Sequence, residues 1–288
     1  MSILLNGNCL ELLDTIEDNS VDLIYCDLPY ATNTFGSCTS CEWDKPINLE
    51  ELWSKLMKKK KINTPIFMSC NVKLGYELIR TAPKKCPFRY DLIWVKSTKA
   101  GFLSSKRMPL RSHELVYVFY EKLPFYDLSS HTHKFIKEEN KIIKGETNTY
   151  NTEGRKKPIT REPAGKYDPP LPDSVIKEDI RKDKHITAYG ENIHYHNNQQ
   201  KNGESIYDPP LPDSILEIKS TRGKHSTEKP VDLIKWILKY YSKEGDIVLD
   251  PTMGSGSSGV ACKEMKRDFI GIEMNPEIYE VAVNRIEG

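Results

Sequence analysis

Gly245-Asp246-Ile247-Val248-Leu249-Asp250-Pro251-Thr252-Met253-Gly254-Ser255-Gly256-Ser257-Ser258-Gly259, followed shortly by Asp268-Phe269-Ile270-Gly271-Ile272-Glu273, decides the architecture. A Gly-Asp turn feeds an apolar, β-branched run that reads as a strand. The small-residue loop after it opens a helix over residues 260–265, and a second strand stops at an acid. Strand, Gly-x-Gly loop, helix, strand, acid is the layout of a nucleoside-binding α/β unit. Gly254 and Gly256 let backbone approach a ligand closely, because neither carries a Cβ. Glu273, 23 residues after Asp250, is placed to accept hydrogen bonds from both hydroxyls of a ribose. Gly259 completes a G-x-G-x-x-G spacing, so glycine count leaves a dinucleotide enzyme open. Against that reading, Asp250-Pro251 precedes the loop, and nothing elsewhere resembles a domain for hydride transfer.

A second strand end carries different chemistry. Val21-Asp22-Leu23-Ile24-Tyr25-Cys26 is a buried-strand pattern, and it halts at Asp27-Leu28-Pro29-Tyr30. Pro29 cannot continue a ladder and pushes Leu28 into an extended conformation. The Leu28 carbonyl is then free beside the Asp27 carboxylate and the Tyr30 ring. Two acceptors next to one aromatic face suit a flat heterocycle with an exocyclic amine. A plain turn is the competing account of these four residues taken alone.

Composition narrows the classes. A chain of 288 residues holds one large domain, or one domain with a sizeable insertion. The net charge of +1 excludes a uniformly basic protein, so nucleic-acid contact must come from local patches. No run of 18 apolar residues exists to span a membrane, and Met1 leads into a strand-like run without a signal-peptide pattern. Seven cysteines, scattered through apolar segments, read as reduced thiols in an intracellular compartment. Cys38 and Cys41 form the one CxxC, and no second pair at zinc-site spacing accompanies it, so no metal is expected.

Residues 1–120 alternate strands and helices. Ile3-Leu4-Leu5 leads to a helical period at Leu10, Leu13 and Ile16, residues 49–57 are amphipathic, and residues 65–70, 90–95 and 114–120 are strands. The long polar stretch 31–46 suits a lid. Lys58 to Lys61 reads as a solvated helix end rather than a DNA contact. Lys96, Lys99, Lys106, Arg107 and Arg111 lie in a stretch without an acid from Leu92 to His113. A phosphate-contacting surface and a merely solvated loop fit that charge equally. Residues 121–222 lose apolar periodicity and gain Asn, Lys, Pro and His. Lys166 to Val175 returns as Ile206 to Ile215, and each copy holds an Asp-Pro-Pro. Neither copy follows a buried strand or precedes a tyrosine, so both read as proline-held turns. This stretch reads as an inserted recognition module. Regular structure resumes with a helix over 231–241 and ends with one over 276–286.

The motifs together resemble a family. Asp27-Leu28-Pro29-Tyr30 after one strand and Asp250-Pro251-Thr252-Met253-Gly254-Ser255-Gly256 after another resemble the amino-group DNA methyltransferases that use S-adenosylmethionine. Catalytic motif first, recognition region in the middle and cofactor motif last is that family's β-group order. Asn6 to Leu10, Ile93 to Lys96, Met108 to Glu114 and His225 to Pro230 match further family segments. The resemblance implies an α/β, Rossmann-like class I methyltransferase sheet with helices on both faces and an inserted, largely irregular target-recognition region. Residues 1–120 would be the catalytic half, 121–222 the insertion and 223–288 the cofactor half.

It also implies roles. Asp27 and the Leu28 carbonyl would accept hydrogen bonds from the target amine, with Pro29 shaping the turn and Tyr30 stacking on a base extruded from double-stranded DNA. Asp250, Thr252, Gly254, Ser255, Gly256 and Ser257 would cradle the methionine part of S-adenosylmethionine, and Glu273, with Met274 beside it, would take the ribose. Asn8 and Cys9 would meet the adenine. Lys229 and the Ser226-Thr227 turn would approach the carboxylate, and Asp27 would border the methyl. Two departures stand out: Leu28 replaces the family's usual proline, and Asn8 its usual aspartate. An aspartate at position 27 goes mostly with adenine N6, which makes cytosine N4 the runner-up. An inactive DNA-binding relative is the reading from another class. The β-group resemblance weighs a homodimer and a monomer evenly.

Overall fold

A computed structural model describes residues 1–36, 45–96, 105–130 and 228–288, the backbone of 97–100, and three two-residue strands between 132 and 176. Chain contacts divide it into two compact units, Met1–Tyr126 with Ser174–Gly288, and Asp127–Asp173. In the larger unit the chain runs β1 (Ser2–Asn6), α1 (Cys9–Leu12), a 3-10 turn over Leu13–Thr15, β2 (Leu23–Cys26), α2 (Leu49–Lys59), β3 (Ile66–Cys70), α3 (Val72–Thr81), β4 (Phe88–Ala100) and β5 (Arg111–Phe119). In the smaller unit β6 (Thr132–His133) pairs antiparallel with β7 (Tyr167–Asp168). The larger unit continues with β8 (Val175–Ile176), α4 (Val231–Tyr241), β9 (Ile247–Asp250), α5 (Ser257–Glu264), β10 (Asp268–Glu273) and α6 (Pro276–Glu287).

These strands form one sheet in the order β1-β10-β9-β2-β3-β5-β4-β8. The first five are parallel, β5 runs antiparallel to β3 and β4, and β8 lies parallel to β4. Thus Val175–Ile176, inside the stretch expected as an insertion, returns to the main sheet. Every residue of β2 and β3 is buried, as a parallel sheet covered on both faces requires. The core gathers Ile24, Ile66, Met68, Leu249 and Ile272 from the strands with Leu13, Leu52, Trp53, Leu56, Leu74 and Leu78 from the helices. Each fully buried side chain of this kind stabilises by about 1.5–3 kcal/mol before entropy is counted.

Asparagines start four of the helices. Asn8, Asn48, Asn71 and Asn275 cap α1, α2, α3 and α6 by accepting backbone N–H bonds. The α3 helix had no counterpart among the expected elements. It buries Leu74 and Leu78 and leaves Val72, Tyr76 and Ile79 exposed.

One expectation is corrected. Lys59 and Lys60, read as a solvated helix end, are buried. Lys59 Nζ donates to the Ile16 carbonyl at 2.7 Å and to Asp18 at 2.5 Å. Lys60 Nζ donates to the Lys61 carbonyl at 2.8 Å and pairs with Glu121 at 3.3 Å. Both ammoniums satisfy backbone oxygens where α2 ends, which local charge does not reveal. Among the described residues, no helix is long and apolar enough to cross a membrane, and no group of three or more His, Cys, Asp or Glu side chains could hold a metal ion.

Candidate functional site

The strand order reverses between β9 and β2. From β9 the chain steps through α5 to β10 on one side, and from β2 through α2 to β3 on the other. A crevice opens beyond the carboxyl ends at such a point. Because Leu23 pairs with Val248 and Ile24 with Leu249, the ends of β2 and β9 are side by side. The sheet therefore brings Asp27 to Tyr30 beside Asp250 to Gly256, and Glu273 ends the next strand over.

The β9 side is a loop held by carboxylates. Asp250 accepts the Thr252 N–H at 3.0 Å and the Ser258 hydroxyl at 2.6 Å. Burial pushes its carboxyl up to about 7 despite both bonds. Glu273 accepts the Gly254 N–H at 3.1 Å and the Asn275 N–H at 2.8 Å, tying the loop to the end of β10. Gly254 has φ 53° and nothing within 4 Å of where a Cβ would stand, so the loop faces open space there. The buried Thr252 Oγ1 finds no hydrogen-bond partner among the described residues. An orphaned hydroxyl beside an open glycine cradle fits a polar ligand seated on this loop.

Ser255 and Ser257 are otherwise engaged. Arg285 on α6 donates to the Ser255 carbonyl at 3.2 Å and to its hydroxyl at 3.1 Å. The Ser257 hydroxyl donates to Glu228 at 3.1 Å, and Arg285 pairs with the same carboxylate. Gly259, the third glycine of the motif, serves packing. A Cβ there would lie 2.3 Å from the Ile286 Cδ1 and 2.9 Å from the Phe269 ring. Asn8 caps α1 by accepting the Leu10 N–H at 3.0 Å. Cys9 is buried, which pushes its thiol up to about 11. Met274 is 72% exposed.

On the β2 side lies a charge network that sequence reading anticipated only in part. Lys229 Nζ is 2.7 Å from Asp27 Oδ1 and donates to Oδ2 at 2.8 Å. The same ammonium stands 3.3 Å from Glu114 on β5 and 5.2 Å from the centroid of the Tyr30 ring. Glu114 also accepts the Tyr30 hydroxyl at 3.0 Å and pairs with Lys96. Burial holds the Asp27 carboxyl above the usual range, opposed by the Lys229 charge. Burial acts the same way on Glu114, but the Lys229 and Lys96 ammoniums outweigh it and bring that carboxyl down to about 2. Two anions and two cations thus neutralise one another in a site where about a quarter of the Asp27 side chain, 26%, meets solvent.

Two lysines with expected ligand roles have partners within the protein here. Lys96, expected on a phosphate-contacting surface, is committed to Glu114 and lies over the Trp94 ring at 5.3 Å. Lys229, expected near the cofactor carboxylate, is bound to Asp27 and Glu114. Lys106, Arg107 and Arg111 are exposed. Ser226, Thr227 and the Lys99 side chain lie outside the described residues. Glu114, Glu228 and Arg285 had been given no role. The one available signal was Glu114 itself, an acid opening an otherwise apolar and aromatic strand run, which needs a buried partner.

The topology and the loop define a class I, Rossmann-like methyltransferase fold. The family comparison agrees: the DNA methylase model N6_N4_Mtase matches residues 21–284, and the chain belongs to that family. S-adenosylmethionine is the methyl donor of this family. Among curated relatives, the type II methyltransferase M.Cfr9I of Citrobacter freundii is 48% identical over 59 residues, 20% of each chain. The match therefore spans about a fifth of that enzyme. M.HinfI of Haemophilus influenzae is 25% identical over 290 residues, covering 99% of this chain and 68% of that one. Two solved structures share the fold. M1.HpyAVI, in its complex with SAM, is 18% identical with a TM-score of 0.56, over 99% of this chain and all of that one. The cytosine-N4-specific PvuII DNA methyltransferase is 14% identical with a TM-score of 0.58, over 99% of this chain and 86% of that one.

Proposed function

We propose that this chain methylates the exocyclic amine of a base flipped out of double-stranded DNA, and that the base is adenine, at N6. The observation that carries the reading is the meeting, in one crevice, of the Asp27 carboxylate, the Tyr30 ring and the loop around Gly254. S-adenosylmethionine supplies an electrophilic sulfonium methyl when bound. Asp250, Thr252 and Gly254 are the residues assigned to its methionine part, and Glu273 to its ribose. Asn8 and Cys9 are assigned to the adenine side. Ser255, Gly256 and Ser257 shape the loop from behind, through α6.

The target amine is a poor nucleophile because its lone pair is delocalised into the ring. Hydrogen bonds from its two protons to Asp27 and to the Leu28 carbonyl direct that lone pair toward the methyl. Pro29 fixes the turn that presents both acceptors, and Tyr30 stacks on the base. Stacking and hydrogen bonding offset an extrusion that costs a few kcal/mol. For each methyl the amine would gain from the bound cofactor it would shed one proton, which would pass to water. Positioning does much of the catalysis, so Asp27 need not be a strong base. Exposed Lys106, Arg107 and Arg111 are assigned to DNA phosphates, with Lys99 in the same run.

Aspartate at position 27 supports adenine. Cytosine N4 is the second reading, favoured by the likeness in fold to the PvuII enzyme. The test is transfer of labelled methyl from S-adenosylmethionine to unmethylated genomic DNA, followed by nucleoside analysis. N6-methyl-2′-deoxyadenosine that disappears in Asp27→Ala is expected. N4-methylcytosine would move the second reading to first place, and an active Asp27→Ala would remove Asp27 from the chemistry.

A further inference from the structure

The place assigned above to the target amine is taken by a side chain of the protein itself. Both Asp27 oxygens lie within 2.8 Å of Lys229 Nζ, and that ammonium stands 5.2 Å from the centroid of the Tyr30 ring. These are the acid and the aromatic face that the base would use. An entering base competes with the ammonium for that ring face, and its amine competes with it for the Asp27 oxygens. A buried ammonium in turn does not leave one counter-charge without another, because an unpaired buried charge costs several kcal/mol.

The second counter-charge is already in reach. Glu114 lies 3.3 Å from the same Nζ, fixed by the Tyr30 hydroxyl at 3.0 Å and by Lys96. The backbone around Lys229 is anchored on both sides. Glu228 is bound to Arg285 and Ser257, and Pro230 opens α4. The side chain is thus the part free to swing, over a short arc between two carboxylates.

We propose that Lys229 is a positioning residue that holds the amine's place on Asp27 while no base is bound and passes to Glu114 when the target base enters. No covalent bond changes in this exchange. Three N–H donors allow the ammonium to trade one carboxylate for the other, and the four charges stay balanced throughout. The proposal rests on the reading that Asp27 receives the target amine. Asp27 is faced by Lys229, Glu114 and Lys96, with Tyr25, Tyr30 and Asp250 also within its field. Removing the Lys229 charge therefore leaves a buried acid that takes up a proton more readily.

A double-mutant cycle on methyl transfer to unmethylated genomic DNA tests it, with rates followed across pH and cofactor binding followed by calorimetry. Glu114→Gln leaves the displaced ammonium without a partner. Its kcat/KM for DNA should fall by at least about tenfold, mostly through KM, with S-adenosylmethionine affinity unchanged. In Lys229→Met there is no ammonium to displace, so adding Glu114→Gln should cost less than about twofold. Lys229→Met should also move the acid limb of the rate to higher pH, with activity recovering as pH rises, and Lys229→Arg should return the limb toward its original position. Independent, multiplying losses, or a Lys229→Met rate lowered equally at every pH, would overturn the proposal and leave Lys229 a structural lysine. Thermal unfolding of each variant separates misfolding from either result. A wild-type chain that methylates no base, or an Asp27→Ala chain with full activity, would instead sink the functional reading beneath it.

Discussion

At Asp250 burial and hydrogen bonding pull in opposite directions, and burial wins. The unfolded acid releases its proton near the ordinary value of 3.8, whereas the folded one keeps it up to about 7. Between those values the native state binds more protons, so the contribution of Asp250 to stability falls as pH rises. Glu114 has the opposite sign. Its carboxyl is lowered from 4.5 to about 2, so its contribution is complete above 4.5 and is lost as pH falls toward 2. Asp250→Asn should therefore flatten the decline in urea midpoint between about 4 and 7, and Glu114→Gln should flatten the loss on acidification below 4.5. A pH profile of the midpoint identical to wild type in either variant would contradict the assignment.

Element by element, α5 shows why three glycines in one motif are not equivalent. Gly259 sits where α5 meets α6 and β10, and an added methyl would collide with Ile286 and Phe269. Gly259→Ala should cost about 1–3 kcal/mol by overpacking, and combined with Ile286→Ala it should cost less than the sum of the two separate losses. Gly254 has room but a left-handed backbone, so Gly254→Ala should cost about 1–2 kcal/mol in strain. Its larger effect should be on S-adenosylmethionine affinity, because the methyl enters the space where the loop is open. Urea denaturation and calorimetry separate the two. Equal cofactor affinities in the two variants would refute the division of roles. It also explains why glycine spacing left a dinucleotide enzyme open: the third glycine answers to helix packing whatever the loop binds.

For the molecule as a whole, the segment Glu228-Lys229-Pro230 joins the two halves of the crevice. Glu228 reaches α5 and α6 through Ser257 and Arg285, while Lys229 reaches β2 and β5 through Asp27 and Glu114. Arg285→Met would strand Glu228, whose side chain is only 5% exposed. The expected loss is about 2–3 kcal/mol, at or below the lower end for a broken buried pair because Arg285 itself is 31% exposed. Thermal unfolding with and without S-adenosylmethionine should show lower stability and a smaller stabilisation by the cofactor, since Ser255 loses its anchor too. A variant as stable as the parent would mean that the segment is held by α4 alone.

Strand ends, the Gly254 loop, the acid at Glu273 and the Asp27 turn were legible in the chain. Apolar period, turn chemistry and a proline after an acid are local properties, set by residues a few positions apart. The partners of the charges were not. Asp27 and Lys229 are 202 positions apart, and Tyr30 and Glu114 are 84 apart. Only the order β9-β2-β3-β5 puts them in one crevice. For the same reason Lys96 turned inward, Lys59 and Lys60 proved buried, and Ser255 and Ser257 faced α6 and Glu228. A charged side chain's role depends on which opposite charge shares its low-dielectric surroundings, and that is settled by how the strands are ordered in the sheet, not by the residues beside it in the chain.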